Sequence, residues 1–130
     1  MDKKINQLKI DISGELDKVY YYNAFNFLNV RPLFKTQLFE YFDFDIKRAW
    51  EVDQQDLILF SEDTGYSVPR EFLSKKAKID LKECYEKAFA DKEVKILTFE
   101  DDNYPALLKE IPDFPLALYY KGDLFSRLLP

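Results

Sequence analysis

The apolar pattern of this 130-residue chain changes period once, near residue 91, and that change limits the folds open to it. Up to there, apolar residues recur every three to four positions, the spacing of helices with one buried face. Beyond it lie two short, nearly continuous apolar runs, residues 94–99 and 116–120. Between them stand Asn103-Tyr104-Pro105 and a helical set of Leu107, Leu108 and Ile111. Short apolar runs bounded by turn residues read as strands covered on both faces. The expected order is helices, then strand, helix, strand. The expected class is α+β, with a helical domain over residues 1–91 and the opening of an α/β layer over 92–130.

Within the helical part, Leu16, Val19, Tyr20, Ala24, Phe27 and Leu28 predict a helix over 15–29, widened by Tyr21, Tyr22 and Phe25 into one buried on two sides. Pro32 suits the start of the next helix, about 33–42, where its missing N–H costs nothing; Leu33, Phe34, Leu38, Tyr41 and Phe42 are its inward set. A short helix over 45–51 takes Asp43 or Asp45 as cap. Asp53 caps another, with Leu57, Ile58 and Phe60 inward. Residues 61–68 read as a loop by composition. Helices follow over 69–77 and 81–91. In the second, Asp80 and Glu83 have capping-box spacing, and Leu81, Cys84, Tyr85, Ala88 and Phe89 make one apolar stripe. Residues 1–14 fit either an edge strand or a frayed arm.

The composition removes whole classes of chemistry. The chain has no His, which excludes Ser-His and Cys-His nucleophile pairs and His-containing zinc sites. Its single Cys can form neither an internal disulfide nor a four-thiolate site. Three Gly leave no glycine-rich phosphate loop. No metal, no cofactor and no enzymatic activity are expected. No apolar run approaches the roughly 20 residues of a membrane helix, and the first residues lack a signal peptide's apolar stretch, so a cytoplasmic protein is expected. The net charge of −5 is a poor field for gripping nucleic acid. It is uneven: residues 1–50 hold 8 basic and 7 acidic side chains, and the later 80 residues carry the deficit.

Residues 97–99, then Asp102-Asn103-Tyr104-Pro105-Ala106-Leu107-Leu108-Lys109-Glu110-Ile111-Pro112-Asp113-Phe114-Pro115-Leu116-Ala117-Leu118-Tyr119-Tyr120-Lys121-Gly122-Asp123-Leu124, resemble the bacterial DNA-processing protein family DprA, also called Smf. In that family a strand leads to Tyr-Pro, a Leu and an Ile on the following helix, a Pro pair, and an apolar strand ending in Lys-Gly or Arg-Gly. Tyr104, Pro105, Leu108, Ile111, Pro115 and Gly122 carry the motif here. Residues 23–60 are similar, more loosely, to the family's small helical domain of the SAM-like or helix-hairpin-helix kind. The resemblance implies a Rossmann-like domain opening after residue 91, single-stranded DNA and RecA as partners of the complete protein, and a role in natural transformation. The family places its next core strand and a Gly-x-Arg motif just after Pro130. The chain is therefore expected to be a truncated, N-terminal portion with weak DNA binding or none.

The motif residues read as structural: Pro105 fixes φ in a first helical turn, Tyr104 packs its ring while its hydroxyl finds a partner, and Gly122 supplies a turn. For nucleic acid the candidates are Arg31, Lys35, Lys47 and Arg48. A helix-hairpin-helix turn uses Gly so that backbone N–H groups approach phosphate. Asn29-Val30-Arg31-Pro32-Leu33 has no Gly, so any contact falls to side-chain charge. The aromatic residues at helical spacing, Tyr20 to Phe44, are expected in the core rather than as base-stacking platforms. Cys84 reads as structural, and Glu100-Asp101-Asp102 as helix-start acids rather than cation ligands. The alternative to the DNA reading is a free-standing protein-interaction module, with a homodimer formed through unpaired strand edges.

Overall fold

A computed structural model describes residues 17–121. Helix α1 spans Lys18–Phe27, α2 Pro32–Tyr41, α3 Ile46–Trp50, α4 Gln54–Thr64, α5 Phe72–Ala77 and α6 Leu81–Ala88. Strand β1 covers Val94–Thr98, a 3-10 stretch Ala106–Glu110, and β2 Ala117–Lys121. The class is α+β. The edge-strand or arm reading of residues 1–14 falls outside the described residues.

Most helices start where the sequence places a cap. The Asp17, Asp45, Asp53 and Asp80 side chains each accept from a backbone N–H of the first turn. At Asp53 the box closes both ways, because Asp56 accepts from the Asp53 N–H at 3.0 Å while Asp53 accepts from Asp56 at 2.9 Å. Helix α4 runs on through Ser61–Thr64, part of the stretch expected as loop. Those polar residues form its solvent-facing last turn, where the Thr64 hydroxyl donates to the Phe60 carbonyl at 2.6 Å. The stop is Gly65, left-handed at φ 76°, a conformation that a side chain resists.

Helix α1 is the central element and packs against α3, α6 and both strands. Its run from Tyr20 to Phe25 is buried without a break, which fits the expectation of cover on two sides. T-shaped ring pairs build the core outward: Phe25 on Trp50 at 5.1 Å, and Phe34 on Phe72 at 5.0 Å and Phe60 at 5.8 Å. Contacts of this geometry add about 1 kcal/mol each beyond area burial. The α6 stripe faces inward as expected, but it is only half-buried. Four residues expected inside are exposed instead: Phe27 at 55%, Phe44 at 46%, Leu33 at 43% and Ile58 at 40%. Phe27 ends α1 and reaches past the core toward the ring of Tyr119. Leu33 and Ile58 each sit one residue from a fully inward partner, Phe34 and Leu57. A step of about 100° carries them off the buried arc.

The two strands pair antiparallel, with Val94 opposite Lys121 and Thr98 opposite Ala117. The opening strand–helix–strand of a Rossmann-like layer would instead pair in parallel through a crossover helix. The connection here carries Pro105, Pro112 and Pro115, which interrupt helix formation and leave the single 3-10 stretch. The hairpin packs on the helices. Phe114, Leu116 and Ala117 belong to the same buried cluster as the helices. The Phe39 ring lies 5.2 Å from Phe99 and 6.3 Å from Phe114. Polar ties reinforce the seam. The Tyr119 hydroxyl donates to Asn23 Oδ1 at 2.7 Å, Tyr22 donates to Glu100 at 2.7 Å, and the Thr36 hydroxyl lies 2.8 Å from the Pro112 carbonyl. Burial and the Glu100 bond both push the Tyr22 phenol well above the ordinary tyrosine range.

Candidate nucleic-acid interface

The turn from α1 to α2 places the first two candidates. Leu28 leaves the helix in extended conformation, and Arg31 precedes Pro32 at the first position of α2. With no side-chain cap and one donor removed by proline, this helix start offers little to an anion through its backbone. The side chains offer more. Arg31 Nη2 reaches across to the Ser67 carbonyl and hydroxyl, each at 3.4 Å. Next to it, Asn29, Val30, Arg31 and Pro32 form one wall of a cleft of about 550 Å³, and Pro69, Arg70, Glu71 and Lys75 form the other. Lys75 Nζ donates to the Asn29 carbonyl at 2.8 Å and lies 3.8 Å from Glu71.

Lys35 sits one turn along α2, half-buried, in a second concavity of about 340 Å³ that also contains Asn26, Asp113 and Phe114. Pro32 lines both concavities, so they adjoin. Burial alone lowers the Lys35 amine to about 8, and it forms no hydrogen bond or ion pair among the described residues. The structure therefore brings Arg31 and Lys35 to one side of the α1–α2 turn and adds Arg70 and Lys75. Sequence reasoning missed those two, which lie some 40 positions away; only their company with Pro69 at a helix start marked the segment.

Lys47 and Arg48 lie elsewhere, on α3. Arg48 forks onto Asp56 at 2.9 and 3.3 Å and covers the Phe42 ring at 4.5 Å. The guanidinium hydrogen bond, ahead of the backbone one from Asp53, holds the Asp56 carboxyl below the usual carboxylate range. Arg48 is committed to a local pair and so leaves little free charge for phosphate.

The motif residues do structural work where they are described. The Tyr104 hydroxyl donates to the Pro115 carbonyl at 2.6 Å, its ring lies 5.7 Å from Phe99, and burial pushes the phenol up to about 12. Pro105 stands at φ −60° immediately before the 3-10 stretch. Its carbonyl accepts from Leu108 at 3.1 Å, Leu108 accepts from Ile111 at 3.2 Å, and Ile111 accepts from Phe114 at 3.2 Å. This chain of turns carries the backbone from β1 into β2. Gly122 lies outside the described residues.

The remaining candidates are accounted for locally. Cys84 is half-buried with Asn23 Nδ2 at 3.5 Å, and burial pushes its thiol up, away from the nucleophilic thiolate. Glu100 takes Lys18 at 3.2 Å besides Tyr22. Asp101 accepts from the Thr98 N–H at 2.7 Å, the bond that closes the turn after β1.

These observations define an α+β chain: a helical bundle with an antiparallel hairpin docked on it through a Tyr-Pro-headed turn, and a basic cleft at the α1–α2 turn. The family model of DNA recombination-mediator protein A matches residues 95–127. That match bears out the resemblance drawn from Tyr104, Pro105, Leu108, Ile111, Pro115 and Gly122 over this segment. No curated protein and no solved structure matches the chain. No helix among the described residues is long and apolar enough to cross a membrane.

Proposed function

We propose that the chain is the N-terminal portion of a DprA-like protein of the cytoplasm, one that in complete form binds single-stranded DNA and loads RecA on it during natural transformation. The observation that carries this reading is the family match over residues 95–127, which falls on the turn system headed by Tyr104 and Pro105. On this reading the helices are the family's SAM-like domain, and the hairpin leads into the Rossmann-like domain that holds the main DNA pocket. The protein is a binding and loading factor rather than a catalyst. By itself the chain holds DNA weakly, since a net charge of −5 opposes a polyanion. The test is genetic. Disrupting the encoding gene in a transformable host should sharply lower recovery of chromosomal transformants while leaving DNA uptake intact. Unchanged transformation contradicts the reading.

One observation favours a second reading, the protein-interaction module. The outer edges of β1 and β2 pair with no other strand among the described residues, and an open edge accepts a partner's strand. Light scattering separates the two: a defined homodimer of the purified chain supports the module, and a monomer supports the DprA-like portion.

A further inference from the structure

Four cations converge on the α1–α2 turn, although the chain as a whole is acidic. Arg31, Arg70 and Lys75 line the larger cleft against one carboxylate, Glu71. Lys35 lines the adjoining concavity against Asp113. The way these cations are held matters more than their number. Arg31 is fixed by the carbonyl and hydroxyl of Ser67, and Lys75 chiefly by the carbonyl of Asn29. Neutral acceptors orient a cation without cancelling its charge. Arg48 shows the opposite arrangement, with Asp56 neutralising it at 2.9 Å. Arg70 is exposed and has no hydrogen-bond or ion-pair partner among the described residues. Lys35 is half-buried and its amine makes no hydrogen bond or ion pair among the described residues, a costly arrangement that an incoming anion would relieve.

The placement of the cations in two adjoining concavities favours a polyanion. The two concavities share Pro32 and so adjoin. A lone phosphate would occupy one of them. A chain of phosphates can meet cations in both, Arg31, Arg70 and Lys75 in one and Lys35 in the other. A duplex is stiff, whereas a single strand is flexible enough to enter two adjoining concavities. We propose that this depression is a contact site for the phosphodiester backbone of single-stranded DNA, on the helical part of the molecule and separate from any pocket in a following domain. The proposal rests on the DNA-handling reading above and adds a second place where the strand is held. Few phosphates are engaged, so the contact is weak and strongly salt-dependent. It serves to guide a strand already held elsewhere.

The test uses the ¹⁵N-labelled 130-residue chain at low salt, titrated in parallel with a short oligo-dT and with inorganic polyphosphate. The expected result with oligo-dT is a set of amide shifts confined to the turn around Arg31, the start of α2 with Lys35, and the segment of Arg70 and Lys75. The Arg70→Gln/Lys75→Gln variant should weaken binding about fivefold or more and reduce the salt slope by about 1.4, the share of two contacts to a single strand. Arg48→Gln should change neither. Arg70→Gln alone, at an exposed position, should move both quantities the same way, which guards against loss of fold in the double variant. Shifts with polyphosphate but none with oligo-dT would overturn the proposal and count against the DNA reading as well. No shifts with either would overturn the proposal and leave the DprA-like reading standing on its family match. Equal losses in the Arg48 variant would overturn it by showing unspecific charge attraction.

Discussion

At the scale of single residues, the turn between α2 and α3 stores strain. Asp43 and Phe44 both stand in the left-handed region, at φ 58° and 63°, where a side chain costs about 1 to 2 kcal/mol. Phe44 is kept there by its ring, which stacks on Phe99 at 5.5 Å and meets Phe39 edge-on at 5.4 Å. Asp43 has no such ring contact. Asp43→Gly should therefore stabilise the fold by up to about 1 kcal/mol, read as a rise in the denaturant midpoint with an unchanged slope; a fall would show that the Asp43 side chain is needed. Lys35 makes a second residue-scale prediction. Its amine, lowered to about 8 by burial, binds fewer protons in the folded than in the unfolded chain between about pH 8 and its ordinary value of 10.5. Its contribution to stability accordingly rises with pH across that window. Lys35→Met should stabilise most at pH 7, and that advantage should shrink as pH climbs from 8 toward 10. Above 10 the buried tyrosines act in the other direction, because their raised folded values let the unfolded chain ionise first. An advantage that stays level from pH 7 to 10 would mean that Lys35 pays no burial cost.

At the scale of elements, helix starts were the most legible part of the sequence. A carboxylate ahead of an apolar repeat acts on the nearest N–H groups, so its partner lies within the next few residues, and Asp45, Asp53 and Asp80 all stand as caps. Asp53→Ala should cost about 1 kcal/mol and fray the start of α4 in hydrogen exchange; protection there equal to the parent's would contradict the role of the box. What the sequence hid are arrangements made between distant segments. The antiparallel pairing of β1 and β2 depends on how the three prolines fold the connection. Arg48 looked free because its partner, Asp56, is eight positions on and faces it only once α3 and α4 pack. Lys76 on α5 likewise donates to the carbonyls of Trp50 and Val52 at the end of α3, a tie that no local pattern announces. The basic depression is of the same kind: Arg31 and Lys35 were visible as lone charges, and Arg70 and Lys75 become their neighbours only when α5 docks beside the α1–α2 turn. The inward stripe of α6, by contrast, followed directly from residue spacing.

At the scale of the molecule, the hairpin and the helices share one aromatic layer. Phe39 is the joint: it is fully buried, and Tyr22, Phe44, Phe99 and Phe114 surround it. Phe39→Ala should cost about 3 to 5 kcal/mol and lower the protection of the β1 and β2 amides together with those of α1 and α2. Loss confined to the hairpin would show that the two parts are only loosely joined. Through Phe39 the helices that carry the basic depression pack directly on the hairpin. In the function proposed above, this body assists DNA binding without supplying most of it. Fluorescence anisotropy of labelled oligo-dT with the 130-residue chain, taken through a salt series, tests that claim most directly: the account predicts weak binding at low salt that fades as salt rises, and a sub-micromolar affinity persisting at physiological salt would contradict it.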